Sequence, residues 1–185
     1  MKIFGRNNLH LLINDLGLKT GIEIGVQMGG YSKYLLENTN MFLYMVDPWV
    51  FIPGFKDISN VDNGIQEQRY QITLNTVKPF VGRYKVIRKF SLDAVNDFED
   101  NSLDFIYLDA DHSYKAVAQD LLAWYPKLKE GGLFSGHDFV DGDDICGSNF
   151  GVRSAVLDFL KTHNHVVDTV TDISDPFPNW WFIKE

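Results

Sequence analysis

A chain of 185 residues that is 45% hydrophobic and 14% aromatic holds enough material for one domain with a substantial core and is not of disordered composition. Its net charge of −8 provides no basic stripe to neutralise a phosphate backbone, so a nucleic-acid partner is disfavoured. Cys146 is the single cysteine, which excludes an intrachain disulfide and a cysteine metal cage, and no apolar run approaches the length that spans a membrane.

Residues 1–19 predict an N-terminal helical extension, because Leu9, Leu12, Ile13 and Leu16 recur at helical spacing. Asn7, Asn8, His10 and Asn14 make the segment too polar for a signal peptide. The expected location is therefore cytoplasmic, with the helix covering one face or edge of a sheet. A strand is predicted over Thr20 to Val26, then a helix from Tyr31 to Glu37 and a second strand over Phe42 to Val46, stopped at Asp47-Pro48. Trp49 to Asn63 reads as an irregular loop with an aromatic wall at Trp49, Phe51 and Phe55. Asp62 or Asn63 can cap the next helix, which carries Ile65, Tyr70, Leu74 and Val77.

The third strand is expected over Tyr84 to Phe90, with a short helix after Ser91, and the fourth over Leu103 to Leu108, apolar enough to be central. A helix over Ser113 to Leu128 presents Tyr114, Val117, Leu121 and Leu128 on one face, with Tyr114 expected against the sheet. Leu133 to Ser135 is the fifth strand, Phe139 to Phe150 a loop, Val152 to Thr162 a helix, and Val166 to Thr171 and Trp180 to Lys184 two closing strands. This alternation predicts a mostly parallel sheet with helices on both faces, in one domain over residues 1–185.

Chemistry-bearing residues fall at the predicted strand ends, where α/β sheets bind ligands. Glu23-Ile-Gly25-Val-Gln-Met-Gly29-Gly30 joins the first strand to its helix. The glycines let backbone approach a ligand, and the carboxylate of Glu23 suits a cation and would repel a pyrophosphate. Asp47 stands where an acid can accept from both hydroxyls of a ribose, in an NAD site as in any adenosine site. Asp109-Ala-Asp111-His112-Ser-Tyr114 ends the fourth strand and His137-Asp138 the fifth. Crowded carboxylates repel unless they share a cation or a proton, so Asp109, Asp111 and Asp138 point to a metal or to acid–base chemistry. Caps on helix N-termini are the bland alternative. Asp141, Asp143 and Asp144 read as a solvated loop, and His112 as a packing or hydrogen-bonding residue.

The E/D-x-G-x-x-x-G loop, the D-x-D-H-x-Y and H-D elements, the Gly151 to Leu160 helix and the Trp180 to Lys184 strand together resemble class I S-adenosylmethionine (SAM) methyltransferases. The likeness is to a family related to metal-dependent sugar and macrolide O-methyltransferases. It implies a Rossmann-like, doubly wound sheet of seven strands, the last antiparallel. It also implies a cofactor site at Glu23, Gly25, Gly29, Asp47, Ser91, Leu92 and Asp109, and a divalent cation (Mg²⁺ or Mn²⁺) on Asp109 and Asp138. His137 is then a third ligand or, with Asp111, a candidate general base. The implied acceptor is a hydroxyl of a small molecule or saccharide. A catechol-type O-methyltransferase, a NAD-linked oxidoreductase and a non-catalytic SAM-binding protein remain alternatives. Oligomeric state is left open, a homodimer included.

Overall fold

The computed structural model describes residues 6–145, 147–163 and 177–185. The main sheet contains β1 (Thr20–Ile24), β2 (Phe42–Val46), β3 (Tyr84–Ile87), β4 (Leu103–Leu108), β5 (Leu128–Gly136) and β8 (Trp180–Ile183). Their order is β3-β2-β1-β4-β5-β8. The first five are parallel and β8 runs antiparallel to β5, with Phe134 opposite Phe182. Six strands thus form the sheet among the described residues; the expected strand over Val166 to Thr171 lies outside them. The order reverses between β1 and β4, and such a switch point opens a crevice at the carboxyl ends of the strands.

Alternation along the strands divides the core. Ile22, Ile24, Ile106, Leu108, Phe134 and Phe182 meet α5 (Tyr114–Trp124) and α6 (Val152–Thr162) through Val117, Leu121, Val156 and Phe159. Leu43, Met45, Phe105, Tyr107, Leu133 and Trp181 meet α1 (Leu9–Asp15), α2 (Gly30–Asn38) and α3 (Asn63–Val77) through Leu9, Ile13, Leu35, Leu36 and Val77. The N-terminal helix therefore covers one sheet face, as its apolar spacing implies. None of the helices among the described residues is long and apolar enough to cross a membrane.

Several local expectations change. The helix predicted to run to Leu128 ends at Trp124; a 3-10 turn over Tyr125–Lys127 follows, and Leu128 already belongs to β5. Tyr114 is 47% exposed, its hydroxyl donating to Asp158 on α6 instead of packing on the sheet. The loop after β5 contains a hairpin, β6 (Asp141–Ile145) against β7 (Ser148–Gly151). Its first residue caps α6, as Asp141 accepts from both Ser154 N and Ser154 Oγ. Asp62 is the cap of α3, accepting from Gly64 N and Ile65 N.

Two residues of the first turn set its shape. Gly25 has φ of +89°, and a Cβ there would lie 1.9 Å from the Asp109 carbonyl oxygen. Glu23, 1% exposed, accepts from Ser32 Oγ and so ties β1 to α2. Burial pushes its carboxyl up to about 8, against the Ser32 hydrogen bond and the charge of Arg6.

Gly25→Ala is expected to cost at least about 3 kcal/mol, since overlap and backbone strain act together. Gly30→Ala, with nothing within 4 Å of its Cβ position, should stay within about 0.5 kcal/mol; urea denaturation of the two variants checks both. The folded protein holds the Glu23 proton more tightly than the unfolded chain does. Its stabilising contribution is therefore complete below the ordinary value of 4.5, declines as pH rises toward about 8, and is flat above that. Glu23→Gln should remove this decline from the pH dependence of the unfolding free energy.

Candidate active site

The glycine loop reverses the chain through positive φ at Gly25, Gln27 and Gly29, the last being the N-cap of α2. Asp47, one residue past β2, holds that loop in place. Its Oδ2 accepts from Val26 N and Gln27 N, both at 3.0 Å, and its Oδ1 from Trp49 N at 2.8 Å. A carboxylate has about four lone-pair sites, so Asp47 keeps capacity for roughly one further donor. Trp49 is 1% exposed, packs on Tyr70 and donates from Nε1 to Gln27 O. It is a strut of the loop; of the expected aromatic wall, Phe51 is the exposed member.

Beside Asp47 a cavity of about 390 Å³ is lined by Pro48, Val50, Arg88, Lys89, Phe90 and Asp93. Leu92 is exposed next to it. Ser91 is turned to structural use, donating to Asp120 Oδ1 and accepting from Trp124 Nε1, which locks the start of α4 (Ser91–Ala94) onto α5. Burial pushes the Asp120 carboxyl up to about 6. A larger cavity of about 480 Å³ lies at the other end of the sheet, among Asn14, Lys19, Glu37 and Asn40, and contains none of the candidate residues.

The acid cluster forms where β4 and β5 end. Asp109 N donates to Ile24 O and His137 N to Leu108 O, so the parallel ladder continues one residue beyond each strand and sets the two ends side by side. Asp138 takes φ of +57°, Phe139 N is held by Pro178 O, and Trp180 Nε1 donates to His137 O. One ligand atom from each of Asp109, His137 and Asp138 lies within 4.8 Å of the others. His137 Nδ1 is 3.1 Å from Asp138 Oδ2. Asp111 stands apart from this group, with Oδ1 accepting from Ser113 N at the start of α5.

His112, read from the sequence as a packing or hydrogen-bonding residue, is the centre of the cluster. Its Nε2 is 3.0 Å from Asp138 Oδ2 and 3.6 Å from Asp109 Oδ1, and its Nδ1 is 3.7 Å from Asp57 Oδ2. These are ion contacts, the two longer ones beyond hydrogen-bond distance. Phe150 stacks on the ring at 4.4 Å. Burial opposes the charge on His112, yet contacts with Asp109, Asp138 and Asp57 push it up to about 11. Despite its own burial, Asp138 is held well below the usual carboxylate range by His112 and His137.

Two further residues join the site without having been singled out from the sequence. Asp57 reaches it from the loop after β2, and Ile58 beside it is the neighbour of Gly147 in the β6–β7 turn. Arg6, ahead of α1, places Nη2 3.0 Å from Asp109 Oδ2. A lone Arg in a polar N-terminal segment carries no motif, whereas His112 lies inside the D-x-D-H run and could have been found by asking which residue neutralises the acids.

Residues 22–139, more than half of the chain, match the family model described as a methyltransferase domain. The fold closely follows a proposed rRNA methylase from Clostridium thermocellum (TM-score 0.70, 16% identity, 100% of both chains). It likewise follows a proposed caffeoyl-CoA O-methyltransferase from Staphylococcus aureus (0.69, 15%, 97% of this chain and 82% of that one). An O-methyltransferase from Bacillus cereus solved in complex with S-adenosylhomocysteine is similar too (0.67, 16%, 97% and 80%). A curated relative, the uncharacterised protein y4gI of Sinorhizobium fredii, is 31% identical over 72 residues, which are 39% of this chain but 8% of that one. The chain belongs to the methyltransferase-domain family and has the class I architecture that works with SAM.

Proposed function

We propose that this domain transfers the methyl group of SAM to a hydroxyl oxygen of a small molecule or saccharide, assisted by a divalent cation held by Asp109, His137 and Asp138. The convergence of those three ligand atoms within 4.8 Å, beside the glycine loop, carries the reading. Two carboxylates and an imidazole fit a divalent ion that keeps some of its waters, and the imidazole favours Mn²⁺ over Mg²⁺. The cofactor side fits SAM through the Gly25 and Gly29 turn, the capacity left on Asp47, the cavity flanked by Leu92, and Asp109. Glu23 and Ser91 support that side from beneath. When bound, SAM supplies an electrophilic methyl, and the cation lowers the pKa of an acceptor hydroxyl.

The chain's residues orient the acceptor and take its proton. With Nδ1–H donated to Asp138, His137 keeps Nε2 for ligation or for the proton of the hydroxyl. Asp111 has Oδ2 uncommitted by any hydrogen bond among the described residues, which leaves it a second candidate base. Asp57 of the loop after β2 and Phe150 of β7 both pack on His112 at the crevice, which favours a site from which water is excluded. A net charge of −8 disfavours an RNA acceptor.

A metal-independent reading follows from His112, which already sets a cation 3.0 Å from Asp138 and 3.6 Å from Asp109. There the imidazolium would stabilise charge at the acceptor oxygen.

Thermal unfolding with S-adenosylhomocysteine separates the readings. At about a hundred times its Kd the ligand should raise Tm by about 5–10 °C, and NAD should not. A further rise with Mn²⁺ or Mg²⁺ that EDTA reverses and Asp138→Asn abolishes supports the cation. Transfer that survives EDTA and is lost in His112→Gln supports the metal-independent reading. No shift with S-adenosylhomocysteine would sink both. For the proton, Asp111→Asn that keeps wild-type kcat, with His137→Ala down about 100-fold or more, would leave His137 as the base.

A further inference from the structure

We propose that Arg6 and Asp109 together form the receptor for the α-amino-acid end of the cofactor, Arg6 binding its carboxylate and Asp109 its ammonium. The inference rests on the SAM reading above and makes the N-terminal segment part of the cofactor site.

The placement of Arg6 is built. Leu9 and Ile13 of α1 are fully buried, Tyr34 of α2 donates its hydroxyl to Asn7 O, and Arg6 follows from that anchoring. Its guanidinium lies over the Tyr31 ring, 4.7 Å from the centroid, and 5.9 Å from that of Tyr107. One nitrogen meets Asp109 Oδ2 at 3.0 Å. A guanidinium has five N–H donors in a fork that matches a carboxylate, so most of its capacity is unspent. The pair also stays open to solvent, at 32% exposure for the Arg6 side chain and 16% for Asp109.

A second observation points to a ligand. The Tyr31 hydroxyl is buried with no hydrogen-bond partner among the described residues, and its ring is the one beneath Arg6. A buried hydroxyl without a partner is costly. Burial holds it well above its ordinary range, so it remains a donor. The fork of Arg6, lying over the Tyr31 ring and set beside one carboxylate acceptor, matches a zwitterion whose carboxylate and ammonium lie on one carbon. The site adjoins the glycine loop, since the Asp109 carbonyl lies 1.9 Å from where a Gly25 Cβ would stand. The division of Asp109 is also suitable: Oδ2 meets Arg6, while Oδ1 faces His112 and the acid cluster.

Calorimetric titration of the full chain with three nucleosides tests the assignment. S-adenosylhomocysteine has the whole amino-acid end, its decarboxylated analogue keeps the ammonium alone, and 5′-methylthioadenosine has neither group. Arg6→Ala should weaken S-adenosylhomocysteine roughly 10- to 100-fold, the worth of a charge-assisted contact, and leave methylthioadenosine within about two-fold. The decarboxylated analogue should bind wild type about as weakly as S-adenosylhomocysteine binds the variant, and lose nothing more on Arg6→Ala. Arg6→Lys, which keeps charge without the fork, should fall between. Equal S-adenosylhomocysteine affinity in wild type and variant, or an equal loss for all three nucleosides, overturns the receptor while leaving the cofactor reading intact. Failure of S-adenosylhomocysteine to bind wild type overturns both. Should Arg6→Ala not fold, equal wild-type affinity for S-adenosylhomocysteine and its decarboxylated analogue is overturning by itself.

Discussion

The approach of the Gly25 backbone to the Asp109 carbonyl is the constraint on which the site depends. β1 and β4 are neighbours with Ile24 opposite Leu108, and one residue later their chains part, β1 into α2 and β4 toward α5. No side chain fits between them at that point, with 1.9 Å available to a Cβ. The strand ends can therefore stay in contact while the helices leave to opposite faces. Asp109 is consequently placed against the glycine loop, and it is the residue through which the loop side and the acid side of the crevice communicate. A larger residue at Gly25 would act on both sides at once.

Four carboxyls gather near this point, and the structure neutralises them in different ways. Glu23, the most enclosed, keeps its proton, because burial outweighs the hydrogen bond from Ser32. Asp138 stays ionised between two imidazoles despite its burial. Asp109 takes a guanidinium on one oxygen and faces His112 with the other. Asp57 is held below the ordinary range, where contact with His112 and hydrogen bonds at Ser59 overcome partial burial. Desolvation is repaid only where a counter-charge is close and well placed, and here each ionised acid has one. The counter-charges come from two distant stretches of chain, around Arg6 and His112, so the cluster assembles only in the folded domain.

Much of the fold was legible because its strands are continuous apolar runs with turn residues at each end. Phe42–Val46, Leu103–Leu108 and the helix Val152–Thr162 have the expected limits, and of the two candidate caps, Asp62 and Asn63, the helix uses Asp62. The β6–β7 hairpin was not legible: Asp141-Gly-Asp-Asp has no apolar alternation, and its place is set by Ser154 and by pairing with Phe150. Trp49 reads as a ligand wall until Gln27 and Tyr70 are seen to claim its ring, and Tyr114 as a core residue until Asp158 claims its hydroxyl. Asp109, His137 and Asp138 were visible as a group because strand ends are predictable meeting places. His112 and Arg6 were not, since an imidazole becomes a counter-ion, and an arginine a ligand, only through long-range neighbours.

The crevice combines parts of different rigidity. Its floor is the ladder, extended by Asp109 N to Ile24 O and His137 N to Leu108 O, and buried strands resist local opening. Its cover is held by fewer ties. Asn60 binds Ile52 and Phe55 within the loop after β2, and Asp57 reaches His112 at 3.7 Å. Arg88 adds a clamp, donating to Pro48 O and Trp49 O while lying over Tyr70. Groups that must align with sub-ångström accuracy belong on the floor, whereas a cover must open for an acceptor to enter. On the proposed function the strand ends therefore determine the chemistry, and the Phe51 to Ile58 loop and the hairpin determine which acceptor reaches it.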